Sequence, residues 1–158
     1  MNIKIACVGK LKERYWQEAC DEYEKRISRF ARLAVEEVAD EKKPDESAPA
    51  LQKQAMEREG IRLLSRIREN EHVIALTIGG TAYSSEAFAA RLETLLQKGA
   101  PLSFVIGGSM GLSPAVLARA DERLSLSHMT FPHRIARVVL LEQLYRAFKI
   151  LNRETYHT

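Results

Sequence analysis

The sequence predicts an α/β domain built on a mostly parallel sheet flanked by helices. Short apolar and β-branched runs alternate with segments of helical period from one end of the chain to the other. Strands separated by helices pair in parallel, because parallel neighbours require a crossover. The chain has 158 residues, a length that fits one domain spanning 1–158. A chain of this size buries roughly two thirds of its unfolded surface, enough for a core without metal or disulfide staples.

Residues 3–8 form a β-branched run closed by Gly9, the first strand. Trp16, Ala19, Cys20, Tyr23, Ile27 and Phe30 then recur at three- and four-residue steps, which predicts a helix with Glu18, Asp21, Glu22, Lys25 and Arg26 on its wet side. Residues 33–38 predict a second strand. Residues 40–49, with two prolines and six charges, predict a polar loop before a charged helix over about 50–68. The second half is more regular, with a strand at 73–78, a helix at 85–97 and a strand at 102–106, both strands ending at glycine. Ser113 and Pro114 supply an N-cap and a first-turn proline for a short helix, and 123–126 reads as a further strand. Thr130-Phe131-Pro132 opens the last helix, 133–151, which is apolar on much of its circumference. Such a helix is central to its own domain or also covers a partner's surface, and both explanations stand.

Composition removes several classes. With 24 Lys and Arg against 21 Asp and Glu, the net charge of +3 does not by itself mark a nucleic-acid binder. Residues 1–126 hold 19 basic and 19 acidic side chains, so the whole excess lies in the last 32 residues, with five basic and two acidic. Cys7 and Cys20 form no CxxC or Cys/His cluster and read as reduced core thiols. The N-terminus has no signal-peptide pattern, and no stretch approaches the about 18 apolar residues of a membrane span, so a cytoplasmic protein without a membrane partner is expected.

In open α/β sheets ligands bind at the carboxyl ends of strands. Three loops qualify: Thr77-Ile78-Gly79-Gly80, the run from Gly107 through Gly108, Ser109, Met110 and Gly111, and the segment from Ser125 to His133. Gly79-Gly80 reads as a plain turn, whereas three glycines within 107–111 exceed what a turn requires and suit close approach of a ligand to the backbone. GxxxxGK[ST] and GxGxxG are both absent, so the loop suits a nucleoside without phosphates. The third loop mixes Ser127, His128 and Thr130 with Leu126, Met129 and Phe131, combining polar contacts with an apolar slot for a flat ring, although Ser and Thr there also serve as helix caps. His133 falls in the first turn of the last helix, where the helix dipole favours a neutral, proton-accepting ring. Ser109 and Ser113 lack a GxSxG setting, and the four histidines are not at metal-ligand spacings, so no metal is expected.

The runs Val8-Gly9-Lys10-Leu11-Lys12, Phe104-Val105-Ile106-Gly107-Gly108 with Gly111-Leu112, Leu124-Ser125-Leu126-Ser127, Met129-Thr130-Phe131-Pro132-His133, Glu142-Gln143-Leu144-Tyr145-Arg146-Ala147 and Tyr156-His157 resemble the bacterial ribosomal RNA large subunit methyltransferase H family. The likeness spans the chain and is thinnest over 40–68. It implies a SPOUT-class fold with a C-terminal trefoil knot, which periodicity alone does not suggest, since connection rules draw an unknotted sheet. It also implies a homodimer that uses S-adenosyl-L-methionine to methylate N3 of a pseudouridine in large-subunit (23S) ribosomal RNA on the assembled ribosome. Carried across by residue, the family's cofactor contacts fall on Leu76, Gly107, Leu126, Ser127, His128, Met129, Thr130 and Phe131.

His133 is then the candidate for assisting removal of the N3 proton or for orienting the base, and Arg137 for holding rRNA phosphate or neutralising the developing ring anion. Arg153, Tyr156 and His157 are the candidate RNA contacts, reaching the partner's cofactor loops in a composite site. Relatives usually end in a basic residue after the Tyr-His pair, whereas this chain ends in Thr158. Two competing readings are a nucleoside-holding ribosome-associated protein of the same fold without transfer activity, and a small flavodoxin-like nucleotide binder.

Overall fold

The computed structural model describes residues 2–156, and strands and helices alternate along them. In order they are β1 (Asn2–Val8), α1 (Arg14–Ile27), β2 (Arg32–Val38), α2 (Pro49–Leu64), β3 (His72–Ala82), α3 (Ser85–Gln97), β4 (Leu102–Ile106), α4 (Pro114–Arg119), β5 (Glu122–Ser125) and α5 (His133–Leu151). The five strands form one sheet in the order β2-β1-β4-β3-β5, every pair parallel. The expected α/β architecture is the observed one. His157 and Thr158, which enter the expectations above, lie outside the described residues.

Side-chain alternation along the strands sorts the core into two layers. Ile3, Ile5 and Cys7 of β1 and Leu102, Phe104 and Ile106 of β4 face α1, α3 and α5. Ala6, Val8 and Val105 face the other way, toward Leu63 of α2 and Val116 of α4. All five residues of β4 are buried, as a strand covered on both faces requires. The last helix takes its wide apolar surface into this core, where Leu140, Leu141, Leu144, Ala147 and Phe148 are buried against α1 and α3.

β1, β2 and β3 each begin one residue earlier than expected, and three elements differ further along. α2 stops at Leu64, where Ser65 caps it, instead of running to 68. β5 begins at Glu122 and ends at Ser125, one residue earlier than expected. The larger correction concerns β3, which does not turn at Gly79-Gly80. It runs on to Ala82, and both Leu76 and Thr81 stand opposite Leu124 of β5, so 77–80 form a bulge between them. Gly80 makes this possible: a Cβ there would stand 2.7 Å from the backbone carbons of Arg123 and Leu124. Gly80 alone lets the two strand backbones come together, since Gly79 has open space around it, and the bulge leaves Thr77 and Ile78 in the cleft at the carboxyl rim of the sheet.

Candidate active site

A cleft of about 820 Å³ opens at the carboxyl ends of β3, β4 and β5. Its walls come from three segments: Leu76, Thr77 and Ile78 of the bulge, the glycine-rich loop 107–112, and the segment 124–136 that leads into α5. Of the residues singled out by sequence, Leu76, Gly107, Leu126, Ser127, Met129, Thr130, Phe131 and His133 line it. His128 is exposed and does not line the cleft. Met129 is largely exposed, a broad apolar surface at the mouth. Ser127 Oγ accepts from the Met129 N–H at 3.0 Å, and Ser125 Oγ donates to the Ser127 carbonyl at 3.0 Å, so these hydroxyls shape the loop itself. Thr130 does not cap α5, because Pro132 is the N-cap residue and no side chain bonds to the helix there.

The glycine-rich loop rests on α2. Glu59, only 2% exposed, accepts the Glu41 N–H at 2.9 Å with Oε2, while Oε1 has no partner among the described residues. Burial raises its carboxyl above the ordinary range. This carboxyl lies against Gly108, where an added Cβ would be 3.2 Å from Oε1, and so backs the cleft from behind. Ser113 caps α4 as its Ser-Pro pair predicts, with Oγ accepting from the Val116 N–H at 3.4 Å.

At the other end of the cleft, Gly9 and α5 meet. Gly9 takes φ +87°, which places its carbonyl against α5, and His133 Nε2 lies 3.7 Å from where a Cβ on Gly9 would stand. The Gly9 carbonyl accepts from Arg137 Nη2 at 3.2 Å, and Arg137 Nη1 reaches Glu37 Oε2 at 3.0 Å. The Arg137 side chain is 5% exposed, so it points into the protein, pinning α5 to the ends of β1 and β2. His133 is half buried; burial, followed by the cations of Arg134 and Arg137, lowers its pKa below the ordinary value, against a smaller opposing effect of Asp40. The ring is therefore neutral near pH 7 and able to accept a proton.

Arg153 is exposed at the far end of α5, and Tyr156 packs edge-on against Tyr145 with ring centroids 5.0 Å apart. Neither lines the cleft of its own chain. The sequence places Thr77 and Ile78 in a candidate ligand loop, but its glycine pair reads as a plain turn, whereas both residues line the cleft. Sequence reasoning missed Gly9, Glu37 and Glu59, whose roles depend on contacts across many residues of sequence. Gly9 directly after the first strand was the one local signal.

Among the described residues no group of three or more His, Cys, Asp and Glu could hold a metal ion, and no helix is long and apolar enough to cross a membrane. Cys7 and Cys20 are free and buried, with burial raising their thiols to about 12 and about 11.

The comparisons agree with this geometry. The family described as "Predicted SPOUT methyltransferase" matches residues 1–157. A protein of Bifidobacterium animalis subsp. lactis named ribosomal RNA large subunit methyltransferase H is 54% identical over 158 residues, covering 99% of each chain. Proteins of the same name from Listeria monocytogenes and Ruminiclostridium cellulolyticum are 50% and 48% identical, again over 99% of both chains. A parallel sheet whose strand-end loops converge on a nucleoside-sized cleft, matched from end to end by such relatives, settles the family: the chain belongs to the SPOUT methyltransferases, among the ribosomal RNA large subunit methyltransferases H.

Proposed function

We propose that the cleft binds S-adenosyl-L-methionine and that this one-domain chain, as a homodimer, methylates N3 of a pseudouridine in large-subunit ribosomal RNA on the assembled ribosome. The observation that carries the reading is the convergence of the bulge, the glycine-rich loop and the loop before α5 on one largely apolar cleft. The relatives, named as large-subunit rRNA methyltransferases, supply the substrate class.

The residues present suit the cofactor. Leu76, Ile106, Leu126 and Phe131 offer apolar flanks for a flat ring, and the glycines leave backbone groups within reach of its edges. Thr77 Oγ1 is buried in the cleft wall with no partner among the described residues, an unused hydroxyl for a polar group of the ligand. When bound, S-adenosyl-L-methionine supplies a methyl group on a cationic sulfur.

The protein's part is to orient the base and to move a proton. The N3 imino proton must leave for that nitrogen to accept a methyl group, and His133 is the neutral imidazole at the cleft that can take it. Arg137 acts through His133: its bonds to Glu37 and the Gly9 carbonyl fix the first turn of α5 and hold the ring in place. A helix of 19 residues is about 28 Å long, so the tail after α5 lies far from the cleft before it. That separation favours a composite site, one protomer supplying the cleft and its partner the tail.

Mass mapping of large-subunit rRNA from cells with and without the gene tests the reading. A pseudouridine one methyl group lighter in the deletion strain is expected, and an identical mass in both strains overturns it. Calorimetry with S-adenosylhomocysteine separates this reading from the flavodoxin-like one, which predicts bound flavin and no heat of binding.

A further inference from the structure

α5 ends in a turn that ordinarily calls for glycine. Arg153 N–H donates to the Ile150 carbonyl at 3.0 Å and Glu154 N–H to the Lys149 carbonyl at 2.9 Å, the paired bonds of a Schellman turn after the C-cap Asn152. The residue at the centre of such a turn adopts the left-handed conformation. Here that residue is Arg153, at φ +54°, the one non-glycine residue with positive φ among those described. A Cβ is disfavoured in that region, so the chain places a long cation where glycine would be easier. The apolar contact that often accompanies the motif is replaced by an ion pair, Lys149 Nζ to Glu154 Oε2 at 2.6 Å, and Glu154 also holds Arg29 of α1 at 2.6 Å.

The cations around this turn are otherwise occupied. Arg26 pairs with Glu22, Arg29 and Lys149 with Glu154, and Arg146 with Glu142. Arg29 also lies 4.5 Å over the ring of Phe30, and Arg146 4.5 Å over Tyr156. Arg153 has no carboxylate and no ring among the described residues, and it is exposed. Arg153 thus stands exposed at the base of the tail, three residues before a Tyr156 held by Tyr145 and Arg146.

We propose that Arg153 grips an rRNA phosphate, and that the chain accepts a strained turn to keep at this exposed position a cation with no carboxylate partner among the described residues. The proposal rests on the rRNA-methylating reading above. Backbone strain persists where the surroundings impose it and the strained residue has work to do, and an unpaired guanidinium matches phosphate in charge and in bidentate geometry.

The test uses the full-length protein, tritiated S-adenosyl-L-methionine and ribosomes purified from cells lacking the gene. Arg153→Gly relieves the turn and raises Tm by about 2 °C. The same variant raises KM for ribosomes about three- to tenfold and lowers the slope of log KM against log salt by somewhat under one, as loss of one phosphate contact requires. Arg153→Lys keeps the salt slope without the gain in Tm. Unchanged KM and salt slope in Arg153→Gly overturn the phosphate contact, and a Tm that falls overturns the strained turn. Wild-type protein that transfers no methyl group to ribosomes defeats the functional reading and this proposal together, whereas wild-type transfer with an unaltered Arg153→Gly defeats this proposal alone.

Discussion

The face of the sheet under α1, α3 and α5 is filled by long side chains, among them Ile5, Phe104, Leu144 and Phe148, while the face under α2 and α4 holds Ala6, Val8, Val73 and Val105. The same strands supply both, since β1 and β4 put large residues on one side and small ones on the other. The thick face gains its stability from buried volume. The thin face adds a polar tie: buried Glu71 accepts from Lys4 Nζ of β1 and from Ser103 Oγ of β4, both at 2.7 Å. The candidate site lies where the two meet at the carboxyl rim. α5 of the thick face contributes His133, and Glu59 of the thin face backs the glycine-rich loop. Volume holds the fold together, and polar pins place the site.

Truncation on the thick face breaks this division most severely. Phe148 is 2% exposed and stacks on Phe30 with ring centroids 5.5 Å apart and planes within 3°. Phe148→Ala should cost about 3–5 kcal/mol in denaturant-induced unfolding, from lost transfer free energy and the cavity left behind. A loss below about 1 kcal/mol would mean that α5 is not a pillar of the core.

Glu71→Gln probes the thin face with a smaller effect, about 1–3 kcal/mol at pH 7, because it removes a charge-assisted acceptor without emptying volume. Burial opposes ionisation of Glu71, but its hydrogen bonds from Lys4 and Ser103 outweigh burial and hold the carboxyl below the ordinary 4.5. A depressed folded value means that the stabilisation is whole above the unfolded value and is lost as pH falls through the folded one. The stability difference between wild type and Glu71→Gln, measured by urea unfolding across acid pH, should therefore be constant near neutrality and shrink below about 4.5. A pH-independent difference would show that Glu71 works through shape alone.

Most of this scaffold was legible in the sequence, and the exceptions share a cause. β4 and α3 fall where the apolar run and the helical spacing put them, because burial on both faces or on one stripe leaves a local periodic record. β3 was cut short at Gly79-Gly80, since a glycine pair after a strand looks the same whether the chain turns or lies against another backbone. Only the proximity of Arg123 and Leu124, some forty residues on, decides between them. The C-terminal trefoil knot, which membership of the SPOUT family implies, is likewise a property of the whole path and leaves no period. In the site, the cleft-lining loops were legible as glycines and small polar residues at strand ends. Arg137 shows the limit: its position suggested a hold on rRNA phosphate or on the developing ring anion, and only the fold shows Glu37 and the Gly9 carbonyl taking its guanidinium in a buried setting.

The smallest expected effect tests the rim itself. If Arg137 acts by holding His133 in place and keeping it neutral, removing its cation while leaving a polar side chain should move the acid limb of kcat/KM upward. Burial and Arg134 continue to lower the pKa of His133 in Arg137→Gln, but one depressing charge is gone, so protonation sets in at higher pH than in wild type. Near pH 7 the ring stays mostly neutral and the rate should change by less than about tenfold. At pH 6 the deficit should widen, and Arg137→Lys, which restores the charge, should return the limb toward its wild-type position. His133→Gln should abolish the limb altogether and lower the rate at every pH. A limb that persists in His133→Gln would assign the proton to another group and leave Arg137 a pin for α5 and nothing more.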